Sequence, residues 1–355
     1  MKRPEGPARD GKRRMKYLVT GGAGFIGSHL AERLIADGHG VVALDDLSTG
    51  SLDNLNALFE HPRFEFVEGS VVDRPLVQKR VALCDRVIHL AAAVGVRRIL
   101  EDPLAALKTN VEGSEIVLGA CAEFGRGILL ASTSEIYGKN EAGLLCEDAD
   151  SILGPSSVKR WSYAAAKKLD EYLGLAYASR YGIAVTSTRF FNIVGPRQSA
   201  RYGMVLPSFV RSALAKRPIG VFGDGQQTRN FTYVDDCVEA VTRILGNPLT
   251  AGQIFNIGGA EEVSMLDLAN RVKRAARSPS PIVLVPYDRA YPEGGFEDMR
   301  RRVPCICRIE ALTGWRPRIS LDEVIRRTID YETARRMTAW LEQTCDDATV
   351  PTTKS

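Results

Sequence analysis

Thr20-Gly21-Gly22-Ala23-Gly24-Phe25-Ile26-Gly27 is the stretch on which the reading of this chain turns. It follows a short apolar run, Tyr17-Leu18-Val19-Thr20. It opens a segment, Phe25 to Asp37, in which Ile26, Leu30, Leu34 and Ile35 recur at helical spacing. Gly38 and Gly40 stop that helix. Each glycine of the loop has a mechanical reason. Gly21 permits the tight turn after the strand, Gly24 lets the backbone approach a pyrophosphate, and Gly27 lets helix and strand pack closely. The first N–H groups of the helix, with their partial positive charge, then face the phosphates. A second apolar run, Val41-Val42-Ala43-Leu44, ends at Asp45, 18 residues after Gly27. An acid there accepts hydrogen bonds from ribose hydroxyls and repels a 2′-phosphate, which favours NAD over NADP.

The theme continues down the chain. Phe64–Val67, Arg86–Leu90, Gly127–Ser132 and Ile183–Arg189 are further apolar runs, and helical stretches near 104–124 and 161–182 separate the later ones. Strands alternating with helices predict an α/β chain, a Rossmann-type doubly wound parallel sheet. After Arg189 the texture changes to Gly, Pro, Arg and aromatics over 191–232. Phe255-Asn256-Ile257 reads as one more strand, and 263–277 and 321–337 as amphipathic helices. The expected organisation is a basic tail at 1–14, an NAD-binding unit at 15–189 plus 233–258, and a smaller substrate-binding unit at 190–232 plus 259–337. A frayed tail at 338–355 completes it.

Composition narrows the class. Of 355 residues, 45% are hydrophobic and 25% charged, which is ordinary for a globular enzyme. The formal charge of +4 resides entirely in residues 1–14, where six basic residues face Glu5 and Asp10. The neutral remainder argues against nucleic acid as a partner. No apolar run is long enough for a bilayer. No signal-peptide core follows the basic tail, so a cytoplasmic location is expected, with no membrane partner. The seven cysteines are scattered, and the close pair Cys305 and Cys307 has no neighbouring His, so no metal is expected.

Two further motifs carry chemistry. Trp161-Ser162-Tyr163-Ala164-Ala165-Ala166-Lys167 places Tyr163 and Lys167 four apart on a helix, hence on one face. A phenol is a poor base near its usual pKa of about 10, and a nearby ammonium favours the phenolate. Such a pair takes a proton from a sugar hydroxyl while NAD accepts the hydride. Ser132-Thr133-Ser134-Glu135 ends a strand, where open α/β sheets bind ligands. Its hydroxyls suit the reacting alcohol, and Glu135 is a second acid/base candidate.

Together these features resemble the extended short-chain dehydrogenase/reductase family of NAD-dependent sugar-nucleotide epimerases, dehydratases and decarboxylases. The likeness spans roughly residues 15–335. It includes His89-Leu90-Ala91-Ala92, Asn110-Val111, Arg189-Phe190-Phe191-Asn192, Gly223–Arg229 and Tyr233-Val234-Asp235-Asp236. The resemblance implies catalytic roles for Thr133, Glu135, Tyr163 and Lys167. It implies cofactor contacts from Gly21, Gly24, Phe25, Ile26, Gly27, Asp45, Ser70, Val71, Leu90, Ala91, Ala92, Asn110, Tyr163, Lys167 and Phe190. Ser70 stands where the family often has an acid beside adenine. The resemblance also implies that Ser134, Asn192, Val205, Phe222, Arg229 and Arg302 bind a UDP-sugar, Arg229 gripping the diphosphate. It implies a homodimer through the helices near 104–124 and 161–182.

The family shares transient oxidation at sugar C4 and differs in the next step. Thr133-Ser134-Glu135 and the segment Gly295–Pro304, which includes Arg302, resemble UDP-glucuronate decarboxylases, and that activity is the leading expectation. A UDP-hexose or UDP-uronate 4-epimerase and a 4,6-dehydratase are the alternatives within the family. An NAD-sensing regulator without turnover and a simple alcohol dehydrogenase that releases NADH are the alternatives outside it.

Overall fold

The computed structural model describes residues 14–94, 102–141, 143–199, 204–290 and 297–348, with side chains described as far as residue 338. The basic tail up to residue 13, Gly295-Phe296 of the segment containing Arg302, and residues 349–355 lie outside the described residues. Each apolar run read from the sequence becomes a strand of one parallel sheet. These are β1 (Lys16–Thr20), β2 (Gly40–Asp45), β3 (Phe64–Glu68), β4 (Arg86–His89), β5 (Gly127–Thr133) and β6 (Val185–Phe190). The chain then leaves the sheet through β7 (Ile193–Val194), β8 (Ile219–Phe222), β9 (Thr228–Asn230) and β10 (Thr232–Tyr233). It returns in β11 (Ile254–Ile257) to add the seventh strand beside β6. The strand order is β11-β6-β5-β4-β1-β2-β3.

Near-continuous apolar strands need cover on both faces. On one face lie α1 (Phe25–Ala36) and a later helix, Val234–Gly246, which bring Leu30, Leu34, Val238 and Val241 into one core. On the other lie α2 (Arg74–Ala82), a short helix α3 (Pro103–Leu107), α4 (Gly113–Glu123) and α5 (Trp161–Tyr181). There Val77, Val81, Val117 and Leu118 pack against Leu18 and Val87 of the strands. Each such fully buried aliphatic contributes about 1.5–3 kcal/mol. Truncating Leu30 to Ala would cost about 2–5 kcal/mol.

Beyond the strand ends lies a second layer. β8 pairs with β13 (Ile282–Val285), and β9 lies between β12 (Glu262–Ser264) and β14 (Arg301–Arg302). Four elements go beyond the sequence expectation. α2 carries almost no apolar periodicity, and its start is set by local chemistry instead. The Asp73 side chain accepts from Leu76 N at 3.1 Å, and Pro75 sits in the first turn. Val205–Leu214 lies inside the Gly-, Pro- and Arg-rich stretch 191–232 and Val234–Gly246 follows it; neither helix is among those read from the sequence. The last helix, Leu321–Ala348, runs on past residue 337, since no Gly or Pro interrupts it before Pro351.

Candidate functional site

Strand order diverges between β1 and β4, and the crevice at their C-terminal ends is where open α/β sheets hold ligands. A cleft of about 570 Å³ lies there. The glycine loop forms its floor. Gly21 has φ +70°, and a Cβ on it would sit 2.8 Å from Ala91 N, while one on Gly27 would run into the Gly21 carbonyl oxygen. Gly24 caps α1 without any side-chain hydrogen bond, and no acid lies in the first turn. The helix start therefore presents backbone donors to the cleft, a cradle that fits a pyrophosphate. Asp45 lines the same cleft. Its carboxylate accepts from Ala23 N at 3.0 Å and Leu47 N at 2.9 Å, and burial raises its pKa.

Gly21, Gly24, Phe25, Ile26, Gly27, Asp45, Val71, Leu90, Ala91, Ala92 and Phe190 all line the cleft, as do Ser134, Asn192, Val205, Phe222, Arg229 and Arg302. Two predicted cofactor contacts lie outside that lining. Asn110 is buried behind the loop after β4, where its amide accepts from Ala93 N at 2.7 Å and donates to Ala93 O at 3.3 Å. It shapes the wall from behind. The Ser70 hydroxyl accepts from Val72 N at 3.4 Å, a local turn bond, and the neighbouring Val71 lines the cleft in its stead.

Thr133, Glu135, Tyr163 and Lys167 all line the cleft. Thr133 ends β5 and hydrogen-bonds Tyr163. The expected electrostatic partnership of Tyr163 and Lys167 is different in detail. Lys167 Nζ donates to Asp170 Oδ2 at 3.0 Å, and both groups are buried. Tyr163 is held above the usual phenol range, by burial first and then by the Glu135 charge, with the Thr133 bond opposing. The lysine charge is spent on Asp170, so it does not set the phenol. Behind the pair, Thr20 Oγ1 bonds His89 Nδ1 at 2.8 Å and Ser114 Oγ bonds His89 Nε2 at 3.2 Å. Burial, aided by Lys167, lowers His89 to about 3.

The floor under Thr133 is rigid. Arg189 grips Glu171 with two bonds of 2.9 and 2.8 Å, and Ser132 Oγ donates to the same carboxylate at 2.6 Å. This buried fork ties β5 and β6 to α5, which carries Tyr163.

The roof is an arginine cluster. Arg302 bonds Glu135 Oε1, and Arg160 lies 3.2 Å from Glu135 Oε2. Burial alone would raise Glu135, but Arg302 and then Arg160 outweigh it and hold the carboxyl down to about 2. Arg302 also donates to Asn192 Oδ1 at 3.1 Å, and Asn192 adopts φ +40°, a strained backbone for a residue with a side chain. Arg229 donates to Asp298 Oδ1 at 2.6 Å, and Tyr287 OH donates to Asp298 Oδ2 at 2.9 Å. Burial, then Arg302, lowers Arg229 to about 10. Sequence reasoning passed over Arg160 and Asp298, which also line the cleft. The available signal for Arg160 was its place three residues before Tyr163, hence on the same helical face.

Among the described residues no group of His, Cys, Asp and Glu is arranged to hold a metal ion. No described helix is long and apolar enough to cross a membrane.

Comparison with known proteins agrees with this geometry. The model of the NAD dependent epimerase/dehydratase family matches residues 17–258. UDP-N-acetyl-alpha-D-glucosaminuronate decarboxylase of Bacillus cytotoxicus is 38% identical, over 89% of this chain and 97% of its own. UDP-glucuronic acid decarboxylase 1 of Arabidopsis thaliana is 35% identical, over 91% of this chain and 71% of its own. The crystal structure of UDP-glucuronic acid 4-epimerase from Bacillus cereus, in complex with UDP-glucuronic acid and NAD, is 28% identical. It superposes with a TM-score of 0.82 over 90% of this chain and all of that one. With its doubly wound sheet, its glycine cradle and a family match over most of its length, this chain belongs to the NAD dependent epimerase/dehydratase family, extended short-chain dehydrogenase/reductases with NAD as cofactor.

Proposed function

We propose that the enzyme decarboxylates a UDP-uronic acid, the C6 carboxylate leaving from a 4-keto sugar, with UDP-glucuronate as the substrate expected from its sequence. The observation that carries this reading is the convergence of Arg302 and Arg160 on Glu135 beside Tyr163. A uronate brings a second carboxylate to this place, and guanidinium groups bind carboxylates bidentately. The similarity to two UDP-uronate decarboxylases supports the same reading.

The residue roles follow. Tyr163 takes the proton of the sugar C4 hydroxyl, and Thr133 orients that hydroxyl through its bond to the phenol. NAD, when bound, supplies the hydride acceptor. Lys167 with Gly21, Gly24 and Asp45 would hold it. Arg302 and Arg160 position the uronate carboxylate. Glu135, ionised through the whole physiological range, serves as an acceptor rather than a proton donor. Arg229 exchanges Asp298 for the substrate diphosphate. Residues 15–189 with 233–258 are the NAD-binding unit in this reading, and 190–232 with 259–337 the sugar-nucleotide unit. We place the enzyme in the cytoplasm as a homodimer. Exposed Leu104 of α3 and Leu169, Tyr172 and Leu175 of α5 offer the apolar face.

The test is to incubate the enzyme with UDP-glucuronate and with UDP-N-acetylglucosaminuronate and to read products by mass and NMR. Loss of CO2 is the expected result, and Tyr163→Phe abolishes it. Products of unchanged mass would move the assignment to 4-epimerisation, the activity named for the Bacillus cereus neighbour.

A further inference from the structure

Three cysteines, Cys146, Cys305 and Cys307, lie near one another outside the lining of the cleft. Leu145 and Pro304 form an isolated parallel bridge. Leu145 N donates to Val303 O, and Cys305 N donates to Leu145 O, each at 2.9 Å. This register brings Cys146 and Cys305, each the next residue on its own strand, side by side. Cys307 follows two residues later, at the start of the helix Cys307–Thr313. The backbone register alone sets Cys146 beside Cys305, and Cys307 stands two residues along from Cys305 on the same segment. Cys146 and Cys307 are exposed and Cys305 is half-buried, whereas Cys84, Cys121 and Cys237 are buried.

Physical chemistry assigns these thiols different parts. Burial would raise Cys305, but its neighbours Cys307 and Cys146 outweigh it and lower its pKa, while Cys146 and Cys307 are raised. A reactive cysteine is a partly accessible thiolate, and a redox-responsive one has a second thiol beside it. No ligand geometry for a metal ion is present among the described residues, and the arrangement is that of a nucleophile with two neighbouring thiols.

We propose that Cys305 and Cys146 are a thiol–disulfide exchange site for small soluble disulfides, with Cys305 as the attacking thiolate and Cys146 as the resolving thiol. In the first step the Cys305 thiolate attacks one sulfur of a disulfide RSSR. The new S–S bond joins Cys305 to SR, and RS⁻ leaves. In the second step Cys146 loses its proton to solvent and attacks Cys305 Sγ. The Cys146–Cys305 bond forms and the second RS⁻ departs. Two protein thiols are oxidised by two electrons, and one RSSR becomes two RSH. Cys146 resolves because it faces Cys305 from another strand. Cys307, by contrast, is on the same segment as Cys305 and is the first residue of its helix.

The cross-link would fasten the segment that carries Arg302 to the one that holds the seventh strand, β11. Cys305 lies three residues after Arg302, and Cys146 precedes Glu147, whose carboxylate accepts from Asn256 N at 2.9 Å.

The test uses the reduced, NAD-loaded full-length enzyme and oxidised glutathione, followed by intact mass and peptide mapping without reduction. The expected product has lost two hydrogens, contains a Cys146–Cys305 peptide, and reverts with dithiothreitol. Cys146→Ser stops at a glutathione adduct on Cys305. Cys305→Ser reacts about tenfold more slowly or less. A first adduct on Cys146 or Cys307, a Cys305–Cys307 peptide, or an undiminished rate in Cys305→Ser would overturn the assignment. The wild-type map decides the matter alone if a variant does not fold.

Discussion

Lys167 donates to Asp170 across 3.0 Å, one turn along the same face of α5, with both side chains buried. The carboxylate neutralises the ammonium that would otherwise act on Tyr163, and its own charge also raises the phenol. Asp170→Asn removes that charge while keeping the shape. The acid limb of the kcat/KM profile should then move to lower pH by about one unit, because a less hindered ammonium favours the phenolate. A pH–rate profile of both proteins checks it. An unmoved limb would show that Asp170 does not tune the base. The same change leaves Lys167 buried without its partner, so unfolding in urea should report a loss of about 3 kcal/mol.

Glu135 is depressed to about 2, from an ordinary 4.5, by burial outweighed by Arg302 and Arg160. A lowered carboxylate contributes stability that is complete above the unfolded value and is lost as pH falls toward the folded one. The ion cluster should therefore hold down to about pH 4.5 and dissolve between there and about 2. At working pH Glu135 does not titrate, so no ionisation near 4.5 should appear in kcat. Glu135→Gln removes the charge that Arg302 and Arg160 hold; it should lower kcat/KM by about 10- to 100-fold and leave bound NAD unchanged, which absorbance of the purified protein reads directly.

Arg302→Lys keeps the charge and loses the fork. A charged hydrogen bond contributes about 1.5–3 kcal/mol, so kcat/KM for a UDP-uronate should fall by about 10- to 100-fold. Retention of NAD should be unaffected. Equal losses with UDP-uronate and UDP-glucose as ligands would refute a carboxylate-specific role, and isothermal titration distinguishes the two.

His89 is neutral when folded, its pKa lowered to about 3 by burial and then by Lys167. Below pH 6.5 the unfolded chain binds a proton that the folded chain refuses. Stability should thus decline as pH falls from 6.5 toward 3, by about 1.4 kcal/mol per unit from this group. His89→Asn should flatten that part of the Tm–pH curve while lowering Tm at pH 7, since Thr20 and Ser114 lose geometry.

Gly27→Ala should abolish NAD retention, because the added methyl meets the Gly21 carbonyl oxygen and the turn must open. Purified variant protein should show no dinucleotide absorbance and still give a parallel-sheet circular dichroism spectrum.

Much of the sheet was legible because its strands are fully buried and read as uninterrupted apolar runs. Tyr163, Lys167, Thr133 and Glu135 were legible because each sits at a fixed offset from a strand end or on one helical face. What escaped depends on contacts between distant segments. Asp170 is an ordinary acid in sequence, and only folding buries it against Lys167. Arg160 and Asp298 lie 138 residues apart in the chain and 3.5 Å apart in the cleft. α2 escaped because Asp73 and Pro75 define its start without any apolar stripe.

The seventh strand, Ile254–Ile257, joins the sheet beside β6 after an excursion of more than sixty residues, and Arg302 arrives later still. A ribosome making this protein from its N-terminus thus releases the cofactor cradle long before the cleft has its roof. A nascent chain that ends between residues 182 and 301 carries the glycine loop and the tyrosine helix, yet it lacks the Arg302 guanidinium that bonds Glu135. Capture of the dinucleotide can precede competence toward sugar, so early loading and late activation are built into the order of synthesis.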